Sequence, residues 1–443
     1  MPLPDLALLN IFDFYLIDAH REAWQTLVHV CQQWRNIVFG SPRRLDLQVY
    51  CTARKPAREM LNIWPPLSIF IGDDGDETWG MDNIFAALER NDRVCGVDIW
   101  IPRSQTEDVL ATMQQPFPEL RHLDLHTRSA RGPEVPVIPT SFLGGSAPRL
   151  QRLLLDGFSF PGLPNLLLSA THLIYLNLSR ISDSGCFSPE AIVTCLSVMT
   201  TLKNLTIRFE PFQPRSDGIS RRLPPQTRTL LPVLTMLCYT GDGEYLEDFV
   251  AQIDAPLLDS LAIAFFPRPI SDTPQLVQFI GRTLTFRAHD EARVVFSDLA
   301  VSVSLRTFGG ALDLKISCRS SGRQLSSVAQ VCSWSLPQSL ISVVECLYIL
   351  NQSSRLHWQN DNEDIQWLSL LQTFTAVKSL YIHRGFAPRI APVLQEVVDE
   401  RAAEVLPVLQ TIFLIDPIPP VQETIGEFVA ARQLAGHHIT ISS

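Results

Sequence analysis

One pattern constrains the fold of this chain more than any other: apolar-x-x-apolar-x-apolar, returning again and again. It reads "PELRHLDL" at 118–125, "PRLQRLLL" at 148–155, "THLIYLNL" at 171–178, "TTLKNLTI" at 200–207 and "PVLTMLCY" at 232–239. It continues as "PLLDSLAI" at 256–263, "SVVECLYI" at 342–349, "TAVKSLYI" at 375–382 and "PVLQTIFL" at 407–414, with a weaker early copy, "NDRVCGVDI", at 91–99. The first apolar positions are Val94, Leu120, Leu150, Leu173, Leu202, Leu234, Leu258, Val344, Val377 and Leu409, and most steps lie between 23 and 33 residues. Self-similarity at such a period marks stacked repeats, each a supersecondary unit that buries its apolar side against its neighbours. The step from Leu258 to Val344 is 86 residues, room for two irregular copies. "RVVFSDLAVSVSL" and "GALDLKISC" fall in that gap and read as strands.

Between the motifs lie segments with apolar residues three and four apart, the spacing of one helix face. They are "MDNIFAALER", "TEDVLATMQQ", "SPEAIVTCLSVM", "GEYLEDFVAQI", "TPQLVQFIGR", "EDIQWLSLLQTF" and "APVLQEVVDERAAEVL". Ser188-Pro189-Glu190 and Thr106-Glu107 suit helix starts. Alternating strand and helix predicts an α/β fold: a curved, irregular leucine-rich-repeat-like solenoid over residues 41–443, with a parallel sheet on its concave face. The competing arrangement is a doubly wound open sheet, but no Gly-rich turn opens any helix.

In such a solenoid the two apolar residues of each strand point inward, and the residue between them faces the open side. Those residues are Asp98, Asp124, Leu154, Asn177, Thr206, Cys238, Ala262, Tyr348, Tyr381 and Phe413, running from acidic to aromatic. Asp98, Asp124, Asn177, Thr206, Tyr348, Tyr381 and Phe413 are therefore candidate substrate-binding residues. The three aromatics suit a recognition surface, or equally a cross-strand stack that serves stability alone.

With 443 residues, 46% of them hydrophobic and 19% charged, the chain is globular in composition and exceeds one average domain. A formal charge of −10 argues against a general nucleic-acid binder. Arg35, Arg43, Arg44, Arg54, Lys55 and Arg58 form an early basic zone, followed by an acidic loop at Asp73, Asp74, Asp76 and Glu77. The nine cysteines, Cys31, Cys51, Cys95, Cys186, Cys195, Cys238, Cys318, Cys332 and Cys346, contain no C-x-x-C pair, and most lie in apolar runs as reduced thiols do. The start "MPLPDLALLNIF" lacks a basic region and carries Asp5, unlike a signal peptide. No apolar run reaches the roughly 18 residues that span a bilayer. The expected location is cytoplasm or nucleus. Lysine is confined to Lys55, Lys203, Lys315 and Lys378.

The first forty residues stand apart. "LALLNIFDFYL" places Leu8, Leu9, Ile11, Phe12, Tyr15 and Leu16 on a broad helical face behind Pro4 and Asp5. A second helix is predicted over "REAWQTLVHVC" and a third over "QQWRNIVFG", ending at Gly40, Ser41 and Pro42. Three short helices bury little area alone, so residues 1–40 need a partner or a larger neighbour.

These residues carry a resemblance. Leu3-Pro4, then "LLNIF" to Phe12, then "LVHVCQQWRNIV" with its Val-Cys-x-x-Trp-Arg block, together resemble an F-box over residues 3 to 39. The family often carries Glu where this chain has Leu6. The match begins at residue 3, which leaves room for a preceding segment. An N-terminal F-box followed by irregular leucine-rich repeats is similar in style to the expanded F-box group of mushroom-forming fungi. The resemblance implies docking to a Skp-type adaptor and, through it, to a cullin. Carried over by position, the adaptor-binding residues are Leu3, Pro4, Leu8, Ile11, Phe12, Val30, Cys31, Trp34 and Arg35.

Sequence chemistry points away from catalysis. "HLDLH" sets His122, Asp124 and His126 on one strand face, without a fourth ligand. "SDSG" at 182–185 has no assignable His or Asp partner, "GDDGDE" at 72–77 lacks calcium-loop spacing, and neither a P-loop nor G-x-G-x-x-G occurs. The expectation is a non-enzymatic substrate receptor of a cullin-based (SCF-type) ubiquitin ligase, with no cofactor, no metal, no nucleic acid and no membrane partner. The alternative is a repeat scaffold with a degenerate F-box, favoured by Leu6; an α/β enzyme is the third reading. Scarce lysine would limit self-modification of a receptor.

Overall fold

A computed structural model of the chain describes residues 3–17, 22–54, 56–72, 81–128, 135–161, 163–182, 185–211, 227–266, 272–286, 290–306, 310–318, 321–352, 363–383, 385–396, 405–415, 425–426, 428–430, 432–433 and 438–442. The acidic loop after Gly72, Lys55 and the middle of "SDSG" lie outside the described residues. The chain divides into two compact units, one comprising Met1–Phe187 and Val198–Leu202, the other Ser188–Ser197 and Lys203–Ser443.

The first unit opens with three helices, α1 (Asp5–Ile17), α2 (Trp24–Val28) and α3 (Gln32–Gly40). Strands and helices then alternate: β1 (Gln48–Cys51), α4 (Ala57–Ile63), β2 (Ser68–Gly72), α5 (Met81–Leu88), β3 (Val94–Pro102), α6 (Thr106–Thr112), β4 (His122–Arg128), β5 (Arg152–Asp156), α7 (Leu163–Ser169) and β6 (Tyr175–Ile181). Its six strands pair in chain order and all in parallel. The three leading helices are fastened to the β1 end by Trp24, which is fully buried. Its indole Nε1 donates to the Gln48 carbonyl at 2.9 Å, and its ring meets Trp64 edge-on at 5.0 Å.

The second unit holds α8 (Pro189–Leu196), β7 (Asn204–Phe209), β8 (Thr229–Leu230), β9 (Met236–Gly241), α9 (Gly243–Val250), β10 (Ile253–Asp254), β11 (Ser260–Phe265) and α10 (Pro274–Arg282). It continues through β12 (Glu291–Phe296), β13 (Ala300–Arg306), β14 (Ala311–Ser317), α11 (Ser321–Trp334), α12 (Gln338–Ile341), β15 (Cys346–Asn351), α13 (Glu363–Gln372), β16 (Ser379–His383), α14 (Ala387–Glu396), β17 (Thr411–Ile415) and β18 (Thr440–Ser442).

The recurring motif is a turn followed by a strand. Its first apolar residue closes the turn, donating its N–H to the carbonyl three residues back. Leu120 bonds to Phe117, Leu150 to Ala147, Leu173 to Ala170, Leu234 to Leu231, Leu258 to Ala255, Val344 to Ile341 and Leu409 to Leu406. The next residue donates to the preceding repeat: Gln151 to the Arg121 carbonyl, Asp259 to Thr235, Lys378 to Glu345, Gln410 to Lys378. Strand positions then alternate between buried and half-exposed in β9, β11, β12, β16 and β17. A doubly wound sheet would bury both faces of its strands. One open face sets that arrangement aside.

The gap between Leu258 and Val344 is not two more copies of the repeat. β14 pairs with β11 and β12 with β15 in parallel, but β13 lies antiparallel to both β12 and β14. The links explain it. Only residues 297–299 join β12 to β13, and only 307–310 join β13 to β14. A parallel crossover needs a dozen or more residues, so such short links force a meander.

Helices α5, α6, α8, α9, α10 and α13 lie where the apolar spacing predicts them. Helix α14 starts at Ala387, before the predicted Ala391, because Ala387 and Ile390 are buried and draw that turn in; Pro392 then sits inside the helix. Helix α11, "SGRQLSSVAQVCSW", is hidden in the sequence by four serines and a glycine, weak helix formers whose apolar stripe of Leu325, Val328 and Cys332 is nonetheless fully buried.

Candidate functional site

Side chains available to a partner lie on the leading helices and on the open sheet face of each unit.

The Val-Cys-x-x-Trp-Arg block organises the helical unit from within. Cys31 is the N-cap of α3, its Sγ accepting the Trp34 N–H at 3.5 Å, so the three-residue spacing is that of a helix cap. Trp34 stacks at a tilt on Phe12 with centroids 4.8 Å apart, locking α3 to α1. Arg35 Nε donates to the Val28 carbonyl at 3.0 Å, tying α3 to the end of α2. Leu8 and Phe12 are buried, so two residues assigned by resemblance to adaptor contact are core here. Leu3, Pro4, Ile11, Val30, Cys31 and Arg35 remain exposed. So do Leu6, Phe14 and Tyr15, which sequence reasoning did not place at a contact. Apolar residues therefore lie on both sides of α1. A helix apolar all round is normally buried.

On the open face of the first unit, register brings side chains of adjacent repeats into rows. Asp98, Asp124, Leu154 and Asn177 form one row across β3 to β6. Asp98 is exposed, while Asp124 is buried under Arg152, whose Nε donates to its two carboxylate oxygens at 2.8 and 3.1 Å. Burial pushes the Asp124 carboxyl up, and Arg152 opposes it. The Arg152 guanidinium also lies over the Tyr175 ring, 4.1 Å from its centroid. Asn177 Nδ2 donates to the Tyr175 hydroxyl at 3.2 Å.

Of the neighbouring row, the sequence singled out His126 alone, as part of "HLDLH". Trp100 stacks flat on His126 at 4.3 Å, and His126 Nδ1 faces Asp156 Oδ2 at 3.5 Å. Arg180 pairs with Asp156 and donates from Nη2 to the Thr127 carbonyl at 2.7 Å. Burial tends to raise the Asp156 carboxyl, but hydrogen bonds from His126 and Arg180 win and hold it below the usual carboxylate range. Gly157 makes room: with φ of 82°, a Cβ there would sit 2.3 Å from Thr127 Oγ1 and 3.0 Å from Arg180 Nη2. The signal for this row was available, since Trp100 lies two residues past Asp98 and shares its face. His122, Asp124 and His126 do share a face, yet no group of three metal-binding side chains converges among the described residues.

In the second unit Thr206 is buried and offers no contact surface. Tyr348, Tyr381 and Phe413 stand in register on β15, β16 and β17. Their rings stack in a ladder, 4.1 Å between the first two and 4.3 Å between the second two, within 10° of parallel. Arg293 on β12 caps one end, its guanidinium 5.1 Å from the Tyr348 centroid, and it is itself paired with Glu291. Burial, then the adjacent Tyr381, push the Tyr348 phenol up to about 12.

No family model matches this chain, and no curated protein matches it in sequence. Solved structures that resemble it include the leucine-rich repeat-containing protein LegL7 from Legionella pneumophila, at 11% identity and a TM-score of 0.31, covering 89% of this chain and 99% of that one. At that score the likeness carries no weight beside the turn-and-strand repeats themselves.

Proposed function

We propose that this chain is the substrate-recognition subunit of a cullin-based, SCF-type ubiquitin ligase. Helices α1 to α3 dock a Skp-type adaptor, and the open sheet face holds a protein substrate. The observation that carries this reading is α1: it buries Leu8 and Phe12 against its own unit while Leu6, Ile11, Phe14 and Tyr15 stay exposed. Val30, at the turn into α3, is exposed as well. Such a set of apolar and aromatic anchors on one small helical unit is what a protein interface uses. The mechanism is proximity. A receptor raises the effective concentration of a substrate lysine near the ubiquitin-loaded enzyme without itself performing chemistry.

The test is capture of a purified Skp-type adaptor by the intact chain. Capture comparable to that of an established F-box protein is expected. Its absence under those same conditions removes the ligase reading and leaves a repeat scaffold.

A further inference from the structure

Away from the open faces, the leading edge of β4, β5 and β6 carries an unassigned site. These strands align His122 with Arg152 and Arg152 with Tyr175, so the residues just before them also align from repeat to repeat. One residue ahead of β4 and β5 stand Arg121 and Gln151; three ahead of β4, β5 and β6 stand Glu119, Arg149 and His172. Arg121, Arg149, Gln151 and His172 line a single cleft of about 260 Å³. That is room for one small polar group rather than an extended organic ligand.

The cleft holds unspent donors. Arg149 is paired with Glu119. Neither the Arg121 nor the His172 side chain has a hydrogen-bond or ion-pair partner among the described residues. The cleft thus holds two guanidinium groups, of which only Arg149 is paired with a carboxylate, in a chain of net charge −10. We propose that this cleft binds a phosphate group, the chemistry shared by a phosphorylated side chain and the free anion. Such a group brings a charge of about −1.5 to −2 and three acceptor oxygens, matched by two guanidinium forks, the Gln151 amide and an imidazole. A carboxylate is the poorer match. Glu119 already offers one, and it engages Arg149 while leaving Arg121 and His172 unmet.

Titration calorimetry on the full chain tests this with four probes: inorganic phosphate, a blocked phosphoserine tripeptide, and its serine and glutamate counterparts. A phosphorylated probe should bind with a dissociation constant of about 1 mM or tighter, and the serine and glutamate peptides at least about tenfold more weakly. The tighter of phosphopeptide and inorganic phosphate identifies the source, a modified side chain or a free anion. Arg121→Gln should weaken phosphate binding about tenfold or more, with circular dichroism unchanged, whereas Arg90→Gln outside the cleft should not. No heat with either phosphate probe at about 10 mM, a glutamate peptide that binds as tightly as the tighter phosphate probe, or full affinity in Arg121→Gln would each overturn the proposal. Adaptor capture is read separately, so loss of the ligase role and loss of the phosphate site are distinguishable.

Discussion

Phe12 and Phe14 lie two residues apart on α1 and should separate folding from docking. Phe12 is 0% exposed and packs on Trp34; Phe14 is 76% exposed. A phenylalanine side chain can bury roughly 200 Å², so covering the exposed part of Phe14 removes about 150 Å² from water. At about 25 cal/mol per Å² that is up to ~4 kcal/mol of docking energy, or between two and three decades in affinity. Phe14→Ser should therefore lower adaptor affinity by about 100-fold or more, while stability changes by no more than about 0.5 kcal/mol because the site is solvated. Phe12→Ala should behave in the opposite sense. It opens a cavity between α1 and α3 and costs about 3–5 kcal/mol of stability in the first unit. Binding is read by interferometry on immobilised adaptor and stability by thermal unfolding, with each variant measured both ways. If Phe14→Ser retains wild-type affinity, the exposed side of α1 is not a docking surface. If it melts like Phe12→Ala, the residue is core and the exposure argument fails.

Two further outcomes follow from the sheet faces. Tyr348 is held protonated up to about 12, against an ordinary phenol near 10. Its contribution to stability is full below about pH 10 and is lost as pH rises through about 12. Absorbance titration at the phenolate band should show this late step, and Tyr381→Phe should move it down; a wild type whose accessible phenols all ionise near 10 contradicts the ladder. Asp156 has the reverse sign, since its carboxyl is held below the usual range. Its contribution is present above the unfolded carboxylate value and is lost as pH falls through the lower folded one. Asp156→Asn should flatten the fall in melting temperature between about pH 5 and about pH 3, and parallel curves for variant and wild type would count against the His126–Asp156–Arg180 cluster.

The repeat was legible because its cause is local. Each turn needs an apolar residue to close it, and each strand needs two more, so "LRHLDL" and "VKSLYI" announce the same structure. Register then follows, and with it the Tyr348–Tyr381–Phe413 ladder. The Asp156–Arg180 pair was not legible. It depends on Arg180 adopting a φ of 51° and on a glycine at 157, neither of which alternation can supply. The meander of β12 to β14 was visible as strands, but its direction is set by link length, which repeat counting ignores. The Val-Cys-x-x-Trp-Arg block was legible as a resemblance, while its physical meaning, a sulfur cap, a ring stack and a carbonyl clamp, depends on how the three helices pack.

Where a partner binds is decided by which groups are still unspent. On the open faces most polar and aromatic side chains already serve one another: Asp124 with Arg152, Trp100 with His126, Arg293 with Tyr348. Engaging any of them means breaking an existing contact, although their fixed positions spare a partner the entropy of ordering them. The groups without such contacts lie elsewhere. Asp98 projects from β3 with no hydrogen-bond or ion-pair partner among the described residues, Arg121 and His172 wait at the leading edge, and Phe14 stands in solvent on α1. New binding energy is therefore concentrated at these positions. It follows that alanine at Asp98 should affect recognition without loss of stability, whereas alanine at Asp124 should affect both, because it leaves Arg152 without its acceptor.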